Sequence, residues 1–407
     1  MKCRHCSHTL HHVFLDLGFA PPSNAYLNEA QLKQPEAYFP LKLYVCDLCW
    51  LVQTEDFAQA DELFSPDYAY FSSISKGWLN HAANYSTMIT DRLNLNADSL
   101  VIEIAANDGY LLKNFVHSDI PCLGIEPTLS TALAAEALNI PILREFFGQS
   151  LAKQLAEDDK QADLVIGNNV FAHVPDINDF ALGLKTVLKE KGTITLEFPH
   201  LQQLLEKNQF DTVYHEHFSY LSIYSVIQIF SKVRLRVFDV EELVTHGGSL
   251  RIYACHQEDA RKTTGNVHTL LERETAGGMQ HLAVYQEFQQ KANKVKNSLL
   301  KFLLAQKEVG AVVVAYGAAA KGCTLLNYAG VKPDLLPLVY DAAPSKQNNY
   351  LPGSHIPIYS PDELVRHKPD YVLILPWNIQ SEVMEQLSFI KTWGGRFVVA
   401  VPELNII

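Results

Sequence analysis

The sequence predicts an α/β protein in three consecutive parts: an N-terminal four-cysteine zinc-binding module, a central doubly wound nucleotide-binding sheet, and a smaller Rossmann-like α/β domain at the C-terminal end. Three observations predict this. Two Cys-x-x-Cys pairs stand near the N-terminus. The stretch "SLVIEIAANDGYLLKNF" reads as apolar strand, small-residue turn and helix, and "AVVVAYGAAAKGCTLLNY" repeats that reading far downstream.

Length and composition fit such an architecture. At 407 residues the chain exceeds one typical domain, and 48% hydrophobic against 19% charged residues describes a folded globular protein. A formal net charge of -12 argues against broad contact with nucleic-acid phosphate or anionic lipid, which both need a basic surface. The start, "MKCRHCSHTL", has no apolar signal region, and no later apolar run nears the roughly 20 residues of a membrane span. The chain reads as soluble and cytoplasmic, with neither nucleic acid nor membrane as partner.

The first part rests on Cys3 and Cys6 in "CRHC" and Cys46 and Cys49 in "CDLC". Each turn aims two thiolates at one ion, and two turns close a tetrahedral sulfur shell with no open position, so a zinc ion there holds structure rather than doing chemistry. A redox pair is the alternative, but two pairs favour metal. The 39 residues between the pairs exceed a compact zinc ribbon and must supply their own turns and strands.

In the second part an apolar strand from Leu100 to Ala105 runs into the turn "ANDG", which brings backbone N–H groups and a helix start toward a nucleotide. "CLGIEP" is the second strand and ends in Glu126, placed for both ribose hydroxyls. "REFFGQSLAKQL" can lay Phe146 or Phe147 beside an adenine, and "ADLVIGNNVFAHVPD" runs from a buried strand into a polar turn with Asn168, Asn169 and His173. "GTITLEFPHL", "RLRVFDVEEL" and "GSLRIYACH" continue the sheet. This ordered set resembles the class I S-adenosylmethionine-dependent methyltransferases, whose first strand carries E-x-G-x-x-x-G. Ala105 stands where that family commonly has glycine, and its methyl is expected to tighten the loop slightly. The cofactor-binding candidates are Glu103, Ala105, Asn107, Gly109, Tyr110, Leu111, Glu126, Pro127, Phe146, Phe147, Asn168 and Asn169.

A helical stretch from about Gln280 to Lys307 carries Phe288, Ala292, Val295 and Leu299 at core spacing. Beyond it, the "YGAAAKG" turn offers Lys321 to a phosphate at a helix start, and "LVYDAAPSKQNN" places a strand before Asp341 and a polar turn with Lys346, Gln347 and Asn348. No acidic residue is read at a nicotinamide-dinucleotide spacing, so packing plus part of a substrate cleft is expected instead. "YVLILPW" and "RFVVAVPEL" complete a small parallel sheet.

The order of a four-cysteine head, a methyltransferase sheet carrying "YHEH" and a tail with "GAAAKG" and "YDAAPSKQN" resembles the nucleotide-sugar C-methyltransferases that branch deoxysugars at carbon 3. The likeness covers the whole chain and implies domains at 1–75, 76–256 and 257–407. It implies S-adenosylmethionine as methyl donor, structural Zn2+, and a nucleoside-diphosphate 4-keto-6-deoxyhexose, most often dTDP-linked, as acceptor. Methylation at carbon 5, a non-catalytic scaffold with this fold, and an oxidoreductase built on the C-terminal turn are the alternatives. The chain is expected to be a monomer or small homo-oligomer.

The same resemblance makes His217 the base that removes the carbon-bound proton, with Glu216 orienting it or assisting proton transfer and Tyr214 donating toward the keto oxygen. His173 becomes a polar substrate contact, and Tyr70, with Tyr68 as rival, closes over the sugar. Substrate contacts fall on Ser72, His246, Gly247, Arg251, Tyr316, Lys321, Asp341, Lys346, Gln347 and Asn348, although His246 reads equally well as a structural histidine. A plain strand would put Tyr214 and Glu216 on one face and His215 and His217 on the other, so "YHEH" demands a turn or bulge. The same geometry argues against a metal bound by His215, Glu216 and His217, and the HExxH helical spacing is absent.

Overall fold

The structure is a computed structural model and describes residues 1–55 and 71–407. It divides into two compact units. The first comprises Met1–Leu10, Cys46–Leu201 and Phe218–Gln280, and the second His11–Val45, Gln202–His217 and His281–Ile407.

The described residues of the first unit build a seven-stranded sheet. Its order is Leu235–Leu243, Ser249–His256, Leu188–Pro199, Ala162–Asn168, Val101–Ile104, Cys122–Ile125 and Ile142–Leu143. Six of the seven strands run in one direction, and Ser249–His256 alone is inserted antiparallel, between Leu235–Leu243 and Leu188–Pro199. All four residues of Val101–Ile104 are buried, the apolar run of a strand covered on both faces. Tyr110, Leu112, Phe115, Leu164 and Tyr253 belong to one core cluster of this unit. The helix Lys76–Leu93 starts on Ser75, whose side chain accepts from the Trp78 N–H, and ends at Asn94 in the left-handed region. The short strands Val52–Thr54 and Ser219–Tyr220 pair antiparallel.

The second unit holds a six-stranded sheet in the order Ile358–Tyr359, Val339–Tyr340, Val313–Tyr316, Tyr371–Ile374, Arg396–Val399 and Asn405–Ile406. Its first five strands are parallel. A hairpin of His12–Ala20 with Phe39–Val45 supplies the structure that the long interval between the cysteine pairs demands. Phe288, Ala292, Val295 and Leu299 lie buried along the helix Phe288–Glu308, as their spacing predicts, and Phe14 packs on Tyr285 and Phe288. Gly317 turns the chain after Val313–Tyr316 at φ +92, where a Cβ would stand 2.4 Å from Pro376 Cδ.

One expectation is corrected here. Asp341 follows the strand Val339–Tyr340, which pairs parallel with Val313–Tyr316, so an acidic residue does stand at the end of the second strand of this Rossmann-like sheet. The long segment between the helix Ala320–Ala329 and Val339 stretches the spacing and hides it from a residue count. Among the described residues, no helix is long and apolar enough to cross a membrane.

Candidate functional site

In the first unit, Cys3, Cys6, Cys46 and Cys49 bring their sulfurs within 4.8 Å of one another. Cys3 and Cys49 stand 3.5 Å apart, as do Cys6 and Cys46. Four thiolates at about 2.3 Å from a central zinc would lie about 3.8 Å apart, so the donor set and its spacing fit that ion. Hydrogen bonds from Cys46 and Cys49 hold the Cys3 thiol far below its ordinary range, while the bond to Cys3 pushes Cys49 far up. Gln53 Nε2 donates to Cys3 Sγ at 3.3 Å. Among the described residues no other group of three or more histidine, cysteine or acidic side chains gathers within ligand reach, His215, Glu216 and His217 included.

The turn after Val101–Ile104 curls because left-handed residues alternate along it: Ala105 at φ +57, Asn107 at +50 and Gly109 at +75. At this φ Ala105 costs backbone strain. A Cβ at Gly109 would meet Ile140 Cδ1 at 2.4 Å, so glycine is required there for both space and φ. Glu126 pins the turn, accepting from the N–H groups of Asn107 and Thr128 at 2.9 Å each. Burial, with Asp108 and Glu126 nearby, pushes the Glu103 carboxyl well above its usual range, and Tyr110 pulls the other way. Leu111 precedes the helix Leu112–His117 in the same turn, and Pro127 follows Glu126.

Other first-unit candidates have definite places. Asn168 Nδ2 donates to Tyr110 Oη at 3.4 Å, and Asn169 Nδ2 stands 3.1 Å from His246 Nε2. Phe146 is exposed, whereas Phe147 packs edge-on against Phe180. The Ser72 N–H donates to Asn107 Oδ1. His173 is half-buried and closes the short 3-10 turn Phe171–His173. Tyr70 and Tyr68 lie outside the described residues.

Arg251 is cross-strand neighbour to both Glu197 and Glu241, and its guanidinium pairs with them at 3.0 and 3.2 Å. Glu197 also accepts from Thr245 Oγ1 at 2.9 Å and meets His81 Nε2 at 2.8 Å. Thr245 opens the 3-10 turn Thr245–Gly247, in which His246 takes φ +53. The Trp78 ring stacks on His81 and contacts both Tyr110 and His246. Arg251 and His246 were candidates from sequence, and the structure sets against them Glu197, His81 and Trp78, which no local motif marks.

In the second unit the "YHEH" segment departs from a plain strand and forms a turn. The His217 N–H donates to the Tyr214 carbonyl at 3.0 Å, and the two rings come to 4.1 Å between centroids. Asn24 Nδ2 donates to both carboxylate oxygens of buried Glu216 at 2.8 Å. His215 turns elsewhere: its ring packs on Phe39, Nε2 lies 3.3 Å from the Phe39 carbonyl, and burial lowers its pKa.

Around the "GAAAKG" turn, Asp341 accepts from the N–H groups of Ala318 at 2.7 Å and Ala343 at 2.8 Å, repeating the device of Glu126. The Ala318 carbonyl accepts from Tyr26 Oη at 2.6 Å and Lys346 Nζ at 2.9 Å. Gln347 Nε2 donates to the Asp341 carbonyl, and Asn348, at φ +63, donates its N–H to the Ile358 carbonyl. Tyr316 is buried with its hydroxyl on Gln386 Oε1. Lys321 Nζ donates to Asn378 Oδ1 at 2.7 Å.

Fold and cysteine cluster together define an S-adenosylmethionine-binding methyltransferase fold carrying a four-cysteine domain of zinc-binding type. Family models match in the same order: a zinc binding domain at residues 3–64, a methyltransferase domain at 80–239 and a C-methyltransferase C-terminal domain at 244–402. C-methyltransferase NovU of Streptomyces niveus is 31% identical over 406 residues, covering 100% of this chain and 96% of that protein. The chain belongs to this C-methyltransferase family. Among solved structures, an S-adenosylmethionine-dependent methyltransferase from Anabaena variabilis matches 43% of this chain and 84% of its own at 15% identity and TM-score 0.36. Magnesium protoporphyrin IX methyltransferase from Synechocystis matches 44% of this chain and 80% of its own at 12% identity and TM-score 0.35.

Proposed function

We propose that the chain moves the methyl of S-adenosylmethionine to carbon 3 of a nucleoside-diphosphate-linked 4-keto-6-deoxyhexose, dTDP-linked in the simplest case, after enolising that carbon. The observation that supports this reading is the Tyr214–His217 turn, which brings an imidazole beside a phenol, while Asn24 holds the carboxylate that lies between them in sequence. A carbon bearing only hydrogen offers no electron pair to an electrophilic methyl. The adjacent ketone makes its proton acidic, and a positioned base with an oxyanion donor lowers the barrier to removing it.

In this reading His217 takes the carbon 3 proton. The C–H electron pair becomes the carbon 3 to carbon 4 double bond, charge moves onto the keto oxygen, and Tyr214 donates a hydrogen bond to it. Glu216, held on both oxygens by Asn24, orients His217 and stabilises the imidazolium that forms. S-adenosylmethionine supplies the electrophilic methyl. Glu126 and the Ala105–Gly109 turn hold the donor, and Asp341, Lys321 and Lys346 serve the nucleotide sugar. The four cysteines hold a structural zinc ion.

The test is incubation with a dTDP-4-keto-6-deoxyhexose in deuterated water. Deuterium should enter carbon 3 without the methyl donor, and methyl should enter with it. His217→Asn should abolish both. No exchange and no methylation across a panel of ketosugars sinks the reading, and deuterium at carbon 5 instead moves the position.

A further inference from the structure

Asp211 is fully buried and has no part in the enolisation scheme. It lies in the 3-10 turn Phe210–Thr212, immediately before the Tyr214–His217 turn. Its Oδ2 accepts from the Trp377 indole Nε1 at 2.7 Å, and Oδ1 has no hydrogen-bond partner among the described residues. A fully buried carboxylate oxygen without a partner is costly, and its retention asks for a reason.

We propose that Asp211 is a positioning residue for the Tyr214–His217 turn: as a carboxylate gripped by Trp377 and balanced by Lys321, it sets the stance of that turn for proton removal. The inference rests on the enolisation reading.

The segment is tied at three points, Phe210, Asp211 and Val213. Lys321, Thr324 and Tyr328 share one face of the helix Ala320–Ala329. Tyr328 meets the Phe210 ring at 5.7 Å, and Thr324 Oγ1 donates to the Val213 carbonyl at 2.8 Å. Between these two ties lies Asp211, and Lys321 is the charge that acts on it. Trp377 serves both partners, its N–H on the carboxylate and its ring 4.7 Å from the Lys321 ammonium. The segment leading into the turn is therefore fixed by one ring contact, one neutral hydrogen bond and one charge-assisted bond. Only the last changes with protonation.

On the helix packed against this segment the titratable groups are Lys321, Cys323 and Tyr328, of which Lys321 acts on Asp211, while the turn Trp377–Ile379 brings neutral Trp377 and Asn378. Burial pushes the Asp211 carboxyl up to about 6, with Lys321, the Trp377 bond and the residue's own backbone N–H opposing. Burial lowers Lys321 to about 8, with Asp211 opposing. A function that needs the carboxylate is present above about pH 6 and is lost as pH falls through it.

The test follows deuterium entry into carbon 3 of a dTDP-4-keto-6-deoxyhexose from pH 5 to pH 8. With His217 and Asp211 both required unprotonated, log rate in the wild-type chain should fall on the acid side with limiting slope two. In Asp211→Asn the slope should drop to one, with kcat lower by about tenfold or more at pH 8 and KM little changed. An unchanged slope and kcat overturn the inference, as does an effect confined to KM. Should that variant not fold, the wild-type fluorescence left after subtracting Trp377→Phe, which removes one of four tryptophans, decides the matter. It should titrate near pH 6, and a flat signal overturns the coupling. Absence of exchange in the wild-type chain sinks the enolisation reading whatever Asp211 does. Wild-type exchange with an acid limb indifferent to Asp211 overturns the present inference alone.

Discussion

The Glu126 carboxylate accepts from the backbone N–H of Asn107 at 2.9 Å, joining the end of the second strand to the turn after the first. In the second unit Asp341 does the same to Ala318 at 2.7 Å. In each case the other oxygen accepts from the N–H two residues further on, Thr128 and Ala343. One acid thus fixes a small-residue turn in each unit and retains further acceptor capacity.

This relationship separates the two turns experimentally. Glu126→Gln puts an amide donor where an acceptor is needed, so the dissociation constant for S-adenosylmethionine should rise by about tenfold to a hundredfold, or about 1.4–2.8 kcal/mol. Asp341→Asn should leave that constant unchanged. Titration calorimetry on both variants checks the assignment, and equal losses would show that the donor is not confined to the first turn.

Ala105 invites a stabilising change. At φ +57 an alanine sits where glycine rests without strain, which costs roughly 1–2 kcal/mol, while glycine gives back about 0.5–1 kcal/mol as extra freedom in the unfolded chain. Ala105→Gly should raise unfolding free energy by about 0.5–1 kcal/mol in urea titration, without weakening donor affinity. A loss of stability would mean that the left-handed conformation is not what limits this position.

The features legible in sequence were those carried by short-range pattern. The two Cys-x-x-Cys pairs announced the sulfur cluster because each pair needs only one turn. The strand–turn–helix stretches at Val101 and Val313 announced both sheets because apolar runs and small residues are local signals. The turn at Tyr214–His217 was expected because the roles that the family resemblance implies for Tyr214, Glu216 and His217 cannot converge under the side-chain alternation of a plain strand. Hidden from sequence were contacts that topology makes: Glu197 meets Arg251 because a strand is inserted antiparallel, and Asn24 meets Glu216 across a long separation. Asp211 stood inside the very stretch that held the histidines, yet its interest depends on Trp377, which lies far away in the chain.

The cysteine cluster predicts a metal-dependent fold. Purified protein should carry one zinc per chain by emission spectroscopy, and Cys49→Ser should lose it, since an oxygen cannot complete the sulfur shell equally well. Structural zinc sites contribute several kcal/mol to folding, so a strong chelator should lower the thermal midpoint markedly. Acid should act the same way by protonating thiolates. A metal-free protein with an unchanged midpoint would refute the structural role.

Arg251 and Glu197 give a prediction with a definite sign in pH. Burial alone would raise the Glu197 carboxyl, but the His81 hydrogen bond, the Arg251 charge and the Thr245 hydroxyl outweigh it and hold the pKa below the ordinary value of 4.5. A depressed carboxylate contributes stability that is present above its unfolded pKa and lost as pH falls through its folded pKa. Arg251→Met should remove the counter-charge from a fully buried carboxylate and cost about 3–5 kcal/mol at pH 7. Without the guanidinium the carboxyl pKa rises, so acid neutralises the stranded charge, and the penalty should shrink between pH 7 and pH 5. Urea unfolding of both proteins at the two pH values measures this. A penalty that does not change with pH would mean that Arg251 acts through packing on the Tyr85 ring, 4.4 Å from its guanidinium, rather than through Glu197.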